Sequence, residues 1–190
     1  VLNIVHGLGN KVGDPLTTHP DTPIVSFTGG TITGKHIATV TAPMFKKLSL
    51  ELGGKNPNII FADADFEKAV STAARAAFTN QGQICLCGSR LFVQKEIYEK
   101  FKIALTEKTK KLKLGDPRES TSHLGAVVSK EHMEKILDKI NLAKELGGKV
   151  LIGGEREILE GELKEGYYIQ PTIIEGLASD CDINQQEIFG

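Results

Sequence analysis

A thiol and a carboxylate occupy two glycine-containing turns of this sequence, 34 residues apart. Cys85 lies in the polar run Gly82-Gln83-Ile84-Cys85, and Glu51 stands just before Gly53-Gly54. A thiol in a turn is a good nucleophile because backbone amides stabilise its thiolate and can donate to a developing oxyanion. A carboxylate can serve as the general base for such a nucleophile. The two residues therefore predict a nucleophile, Cys85, and its base, Glu51.

The other cysteines, Cys87 and Cys181, compete for this role and raise the question of a metal. Cys85 and Cys87 have the spacing C-x-C, whereas zinc sites use C-x₂₋₄-C with a second pair or with histidines at matched spacing. We therefore predict no metal site. A lone cysteine is most often inert core filler, and Cys87 fits that interpretation better than Cys85 does. Three cysteines make no disulfide framework, so we expect a reducing compartment, the cytoplasm.

Glu51 has a simpler interpretation as a surface carboxylate at the end of a strand. It is flanked by Leu50 and Leu52 and followed by two glycines, which favours partial burial instead. Partial burial would make the carboxylate a more effective general base. We therefore expect Glu51 to be partly buried.

The overall composition excludes several classes of function. Of 190 residues, 40% are hydrophobic and 25% are charged, and the formal net charge is −1. This balance is typical of a globular protein and predicts neither a nucleic-acid nor a membrane partner. No apolar run approaches the length of a membrane span. The chain starts inside an apolar run without Met and stops without a polar tail, so we expect a segment of a longer protein.

Strand and helix patterns alternate along the chain. Apolar runs predict strands at 1–5, 23–27, 46–50, 57–61, 91–94, 150–152 and 167–174. Helical periodicity predicts helices at 31–41, 96–113 and 130–146, and the glycine-rich stretch 153–166 predicts a surface loop. The run Asp63–Asp65 offers N-cap candidates for a further helix that ends near Phe78. Strand, glycine turn, helix and strand in succession predict an α/β fold with a parallel sheet. The pattern restarts after 52–54, which predicts a domain boundary there.

Two glycine turns follow strand-like runs early in the chain. Gly7-x-Gly9-x-x-x-Gly13 resembles a dinucleotide loop, although its third glycine comes one residue later than in the standard fingerprint. A plain strand-to-helix turn is the more common interpretation of such a run. Gly29-Gly30 closes the next strand. Because open α/β sheets bind ligands at the carboxyl ends of neighbouring strands, the two turns together indicate a ligand site.

Four motifs give the chain a resemblance to the NAD(P)-dependent aldehyde dehydrogenase superfamily. Leu50-Glu51-Leu52-Gly53-Gly54-Lys55 resembles its glutamate signature, and the run from Phe78 to Arg90 resembles its cysteine signature. Phe27-Thr28-Gly29 is similar to its cofactor loop, and Glu187-Ile188-Phe189-Gly190 to a later cofactor-contact motif. The order and spacing agree over the whole chain, which would cover the middle of a family member.

The resemblance implies a fold and a reaction. The chain would hold part of a Rossmann-like cofactor domain, 1–52, followed by most of an α/β catalytic domain, 53–190. Cys85 would attack an aldehyde to form a thiohemiacetal and then a thioester, and its backbone amide would supply half of the oxyanion hole. Glu51 would activate the water that hydrolyses the thioester. The product would be a carboxylic acid.

The resemblance also implies a cofactor, partners and a set of contacts. NAD is the expected cofactor, with NADP as an open alternative, and the full-length protein would be a homo-oligomer, a dimer or tetramer. The residues expected to contact the cofactor are Gly9, Gly29, Gly30, Leu52, Glu187 and Phe189. Gly30 departs from the serine that is usual in the family, which removes a hydroxyl expected to meet the pyrophosphate. The runs 47–51 and 83–87 are most similar to members that oxidise a muconic semialdehyde.

Two other functions compete with this one. A non-catalytic structural relative on the same fold, as some lens crystallins are, is favoured only by Gly30, because both presumed catalytic residues are present. A cofactor-independent thiol hydrolase would leave the two glycine turns and Glu187 without a role.

Overall fold

The computed structural model describes residues 2–190, which form two compact units. The first unit ends at Gly53 and the second is Gly54–Gly190. Both units combine helices with short strands, so the fold is α/β as predicted. Within residues 2–190, no helix has the length and apolar character needed to cross a membrane.

The first unit is built on two parallel strands and the helix that connects them. Its elements are α1 (Asp14–Thr18), β1 (Ile24–Gly29), α2 (Thr31–Thr41) and β2 (Lys47–Leu52). The strands pair in register from Ile24 opposite Lys47 to Gly29 opposite Leu52. The α2 helix packs closely on β2 at Gly34, where the Leu52 methyl groups leave no room for a side chain. The carboxyl ends of β1 and β2 therefore lie side by side, as the sequence predicted.

The predicted strand at 1–5 is wrong for the residues that the structure describes. Leu2, Ile4 and Val5 are 83%, 69% and 62% exposed and have no regular secondary structure. Val1 lies outside the described residues. A strand needs a neighbour for its N–H and C=O groups, and no strand within residues 2–190 pairs with this run.

The second unit begins with a βαβ arrangement and ends with short antiparallel pairs. Its elements are β3 (Pro57–Ile60), α3 (Phe66–Phe78), β4 (Arg90–Val93), α4 (Tyr98–Thr109), α5 (Lys130–Glu145), β5 (Lys149–Ile152), β6 (Arg156–Glu157), β7 (Tyr168–Ile169), β8 (Ile173–Glu175) and α6 (Asp182–Gln185). The strands β3 and β4 are parallel, whereas β5 pairs with β8 and β6 with β7 in antiparallel fashion.

The core that supports β3 and β4 follows from helical spacing. Asp65 caps α3, since its carboxylate accepts the Lys68 N–H at 3.1 Å. The buried residues of α3 recur three and four positions apart and face the buried side of α4. This cluster consists of Ile60, Val70, Ala73, Ala74, Phe101 and Leu105. This packing fixes α3 against α4, and α3 ends at Phe78, shortly before the turn that carries Cys85.

The region after α5 differs from the predicted elements, and its strand pairs are antiparallel. The strand predicted at 167–174 is interrupted at Pro171, which lacks the N–H that a continuous ladder needs, and it becomes β7 and β8. The loop predicted at 153–166 contains the two-residue strand β6. Helix α4 is shorter than predicted, because a 3₁₀ turn at Lys95–Ile97 precedes it and it ends at Thr109.

Candidate active site

Cys85 lies in a tight turn, which we call the thiol turn (Ile84–Cys87). The Cys87 N–H donates to the Ile84 carbonyl at 2.9 Å, so Cys85 and Leu86 occupy the two central positions. The chain enters this turn from the end of α3 through three residues with positive φ, which are Asn80, Gln81 and Gly82 at 52°, 57° and 75°. Such a run is uncommon for non-glycine residues and reverses the chain in a small space.

Cys85 and Cys87 have opposite environments. Cys85 is exposed, and within residues 2–190 its backbone N–H donates no hydrogen bond. Cys87 is half-buried, and its thiol donates to the Ala77 carbonyl at 2.9 Å. Burial raises the pKa of the Cys87 thiol, which Lys55 offsets only in part. Because the thiolate is the reactive form, Cys87 is the inert packed thiol that the sequence suggested and Cys85 is the accessible one.

The segment that follows the Gly-Gly turn connects several parts of the site in the second unit. We call this segment, Gly54–Asn56, the linking segment. The guanidinium of Arg90 donates to the Lys55 carbonyl from Nε at 3.0 Å and from Nη2 at 2.6 Å. The Asn56 side chain donates to the carbonyls of Cys85 at 2.7 Å and of Cys87 at 3.1 Å.

Nothing in the sequence had marked Asn56 or Arg90 as a site residue. Asn56 directly follows the motif of Glu51 and Arg90 ends the motif of Cys85, which was the available signal, but only the folded chain gives them partners.

Lys55 is the partly buried cation of the linking segment. Burial lowers the pKa of its ammonium group, and the neighbouring Arg90 guanidinium lowers that pKa further. The nearby Cys87, Glu187 and Cys181 side chains act in the opposite direction, each more weakly. Burial and Arg90 outweigh them, so the pKa of Lys55 lies below its usual value.

Glu187 contacts the linking segment, and the chain next to Phe189 contacts the entry to the thiol turn. The Gly54 N–H donates to Oε1 of Glu187 at 3.2 Å. The Phe189 carbonyl lies 2.7 Å from Nε2 of His132, and its φ of 68° turns the chain sharply there. The residue after Phe189 packs closely on Gly82, where an added Cβ would lie 3.0 Å from the carbonyl carbon of Gly190. Glu187 therefore contacts the linking segment, which also holds Cys85 through Asn56, and the residue after Phe189 packs on the entry to the thiol turn.

A cavity of about 450 Å³ in the second unit borders the linking segment and the thiol turn. Cys87, Glu187 and Phe189 line it, and Cys85 does not. The thiol turn therefore contributes Ile84 and Cys87 to the cavity wall, whereas the thiol of Cys85 is exposed to solvent.

Glu51 lies on β2 in the first unit and its side chain is exposed. The prediction of partial burial is therefore wrong. Successive side chains of a strand point to opposite faces, so the half-buried Leu50 and Leu52 share the inner face and direct Glu51 to the outer one. An exposed carboxylate is still free to accept a proton from water.

The predicted cofactor contacts of the first unit cluster at the ends of its strands. Gly29 and Leu52 are paired in the parallel register, and Gly30 is the N-cap of α2. Gly30 has no side chain to cap the helix, and a Cβ there would meet nothing within 4 Å. The first N–H groups of a helix attract phosphate groups, and open space at Gly30 lets a phosphate approach them. These residues therefore fit the pyrophosphate of a dinucleotide.

Gly9 begins a helical turn, Gly9–Gly13, and the described residues before it, 2–8, form no strand. The N–H groups of Lys11 and Val12 both donate to the Leu8 carbonyl, at 2.8 and 2.9 Å, and are therefore used within the turn. The run Gly7–Gly13 therefore folds as a turn rather than as an open glycine loop, and contact between Gly9 and a cofactor stays a prediction.

Each unit carries groups that the sequence had singled out. The first presents an exposed carboxylate and a phosphate-compatible helix start, and the second presents an exposed thiol with a free backbone donor. Among residues 2–190, no group of three or more His, Cys, Asp or Glu side chains is arranged to hold a metal ion. Nucleophilic addition to a carbonyl, followed by general-base hydrolysis, is the reaction type that these groups support.

Comparison with known proteins shows where this arrangement recurs. The model of the aldehyde dehydrogenase family matches residues 1–190. A 2-aminomuconic semialdehyde dehydrogenase of Danio rerio is 47% identical over 100% of this chain and 39% of its own length. A 4-trimethylaminobutyraldehyde dehydrogenase of Homo sapiens is 42% identical, over 100% of this chain and 38% of its own length. The chain thus spans about two fifths of the length of the curated relatives that it matches.

A solved structure has the same fold. The crystal structure of a betaine aldehyde dehydrogenase from Staphylococcus aureus in complex with NAD+ superposes with a TM-score of 0.92 and 43% sequence identity. The match covers 97% of this chain and 36% of that protein.

Proposed function

The chain belongs to the aldehyde dehydrogenase family, and on that premise we propose that the full-length protein oxidises an aldehyde to a carboxylic acid with NAD. The exposed Cys85 thiol, beside its half-buried and hydrogen-bonded neighbour Cys87, is the observation that carries this proposal. An accessible thiol in a turn with an unused backbone donor is what carbonyl addition requires.

The first step forms a bond between Cys85 and the substrate. The Cys85 thiolate adds to the carbonyl carbon, the C=O π electrons move to oxygen, and the Cys85 N–H donates to the resulting oxyanion. The chemistry that NAD supplies when bound is acceptance of the hydride, which leaves a thioester on Cys85. Cys87 takes no part, because its thiol is held on the Ala77 carbonyl.

The second step breaks that bond. Glu51 takes a proton from water, the hydroxide attacks the thioester carbon, and the C–S bond breaks to release the acid and the Cys85 thiolate. The exposed side chain of Glu51 supports this role because water reaches it directly.

Residues from both units would hold the cofactor. Gly29, Gly30 and the start of α2 would receive the pyrophosphate, and Leu52 would contact the nicotinamide region. Glu187, whose carboxylate already accepts one backbone N–H, has a further oxygen free for ribose hydroxyl groups. Phe189 would pack near the nicotinamide, and Gly9 would also contact the cofactor. The domain roles follow, with 1–52 in the cofactor domain and 53–190 in the catalytic domain.

The substrate, assembly and location are further parts of the proposal. We propose 2-aminomuconic semialdehyde as the substrate, because relatives with that name are 41% to 47% identical to the chain. We propose a homo-oligomer, a dimer or tetramer, that acts without a nucleic-acid or membrane partner. The three free cysteines favour a reducing compartment, the cytoplasm.

The decisive experiment compares matched cysteine variants of the full-length protein. Cys85→Ser should lower kcat for 2-aminomuconic semialdehyde or propionaldehyde by about 10³-fold or more, because the nucleophile is lost. Cys87→Ser should change kcat by less than about threefold, since a serine hydroxyl can still donate to Ala77. Glu51→Gln should form the thioester and hydrolyse it slowly, so the acyl-enzyme should be visible by intact mass.

Both cysteine variants and the wild-type protein can contradict the proposal. Wild-type turnover by Cys85→Ser would exclude Cys85 as the nucleophile, and loss of activity in Cys87→Ser alone would exchange the two roles. A full-length wild-type protein that binds NAD but turns over no aldehyde would favour the structural relative instead.

A further inference from the structure

The Asn56 side chain spans the thiol turn. Its Nδ2 lies 2.7 Å from the Cys85 carbonyl oxygen and 3.1 Å from the Cys87 carbonyl oxygen. A carboxamide nitrogen carries two N–H groups, so both bonds form at once, one from each hydrogen. One side chain therefore holds the carbonyls on either side of Leu86.

These bonds matter because Cys85 has few other restraints. Within residues 2–190, the Asn56 bond is the only hydrogen bond that Cys85 makes. The backbone angle ψ of Cys85 is the rotation about its Cα–C bond. A fixed Cys85 carbonyl therefore fixes how the N–H and the thiol of Cys85 are directed relative to the residues that follow it in the turn. The rest of the turn is held elsewhere, since the Gly88 N–H donates to Ala76 at 3.0 Å and the Cys87 thiol to Ala77.

Asn56 is itself well anchored. Its backbone carbonyl accepts the Arg90 N–H at 3.2 Å, next to the two guanidinium bonds on Lys55. Hydrogen bonds from a charged guanidinium are stronger than neutral ones, so the linking segment is a rigid base for the side chain. The Asn56 residue is half-buried, which limits competition from water.

We propose that Asn56 is a positioning residue for the reaction. It keeps the thiol and the N–H of Cys85 directed at the same carbonyl group, that of the aldehyde substrate. The inference rests on the proposed role of Cys85. It concerns orientation alone, because Asn56 makes no bond to the reacting atoms. A displacement of about 1 Å in a reacting group can lower a rate by about 10²-fold.

The chain offers a matched control at the other end of the same strand pair. Asn56 precedes β3 and donates to the loop before β4. Gln94 follows β4, and its Oε1 accepts the Ala62 N–H in the loop after β3, at 2.7 Å. Removal of either side chain therefore breaks side chain–backbone bonds across β3 and β4, but only Asn56 reaches the thiol turn.

The test uses three variants of the full-length protein, Asn56→Asp, Asn56→Ala and Gln94→Ala. An aspartate side chain has the shape of the asparagine but turns its oxygens toward the two carbonyls, so Asn56→Asp should be the most damaging. We expect kcat to fall by about 10- to 100-fold in both Asn56 variants, with the KM for NAD unchanged, and by less than about threefold in Gln94→Ala. As the pH falls and the introduced carboxylate of Asn56→Asp becomes protonated, one O–H donor returns and kcat relative to wild type should rise.

A second readout is independent of turnover. The rate at which iodoacetamide alkylates Cys85, followed by peptide mass spectrometry, should change in the Asn56 variants and not in Gln94→Ala. If Cys85→Ser keeps wild-type turnover while the Asn56 variants alter alkylation, the proposed function fails and the restraint by Asn56 stands. Wild-type kcat and alkylation in a folded Asn56→Asp would overturn the inference. Should Asn56→Asp not fold, the same result in Asn56→Ala would overturn it.

Discussion

The close approach of the chain to Gly82 gives a sharp prediction for Gly82→Ala. Gly82 has a φ of 75°, and an added Cβ would lie 3.0 Å from the carbonyl carbon of Gly190 and 3.3 Å from its Cα and oxygen. All three contacts are to backbone, which cannot rotate away as a side chain could. The substitution should therefore push apart the entry to the thiol turn and the segment that carries Phe189.

The expected cost has two separable parts. An L-residue at positive φ costs about 1–2 kcal/mol. Forcing an extra carbon into closely packed backbone adds about 1–3 kcal/mol. Gly147, just after α5, supplies the control, because its φ is 89° and a Cβ there meets nothing within 4 Å. Gly147→Ala should therefore show the first cost alone.

Native-state hydrogen exchange of the full-length protein measures the difference. Buried amides of α3 report the stability of the second unit, and each 1.4 kcal/mol corresponds to about tenfold faster exchange. We expect α3 amides in Gly82→Ala to exchange about 10- to 100-fold faster than those in Gly147→Ala. Equal exchange in the two variants would refute the contact between Gly82 and Gly190 as the reason for glycine at this position.

Two further predictions concern the cofactor and the stability of the second unit. Gly30→Ser should tighten NAD binding about two- to tenfold in a fluorescence titration, because the open space at Gly30 admits a hydroxyl that can donate to the pyrophosphate. Gly30→Ala, which adds no hydroxyl, should leave NAD binding unchanged. Unchanged binding by the serine variant would contradict the assigned position of the pyrophosphate. The hydrogen bond from Tyr98 at 2.9 Å, together with Lys102, lowers the pKa of Glu175. The ionised carboxylate therefore stabilises the fold at a pH above its unfolded pKa of about 4.3. This contribution is lost as the pH falls through the lower pKa of the folded state. Glu175→Gln should therefore lower the thermal midpoint at pH 7 and flatten its fall below about pH 5, whereas Glu107→Gln, in an exposed pair with Lys110, should do neither.

Much of the local structure could be predicted because it depends on neighbours in sequence. Helix α2 begins and ends where its periodicity placed it, and Asp65 caps α3 as expected. The parallel pairs β1–β2 and β3–β4 followed from the alternation of strands, glycine turns and helices. The strand at 1–5 failed because an apolar run becomes a strand only where a neighbour completes its ladder.

Predictions of burial were less secure than those of residue type. The leucines beside Glu51 suggested a partly buried carboxylate, yet strand alternation directs the carboxylate outward. Cys85 and Cys87 look alike in sequence, and their separation into an accessible and an inert thiol depends on the position of the Ala77 carbonyl at the end of α3.

The family, the residue types of the proposed chemistry and the elements that carry them can be inferred from the chain alone, because motifs, caps and periodicity are local properties. Which thiol is free, and how its turn is held, depends on how the elements pack. The bonds from Asn56 to Cys85 and from Gly54 to Glu187 join segments 29 and 133 residues apart. Such bonds leave no periodic trace in the chain, because they form only after strands and helices have packed and a donor meets its carbonyl or carboxylate.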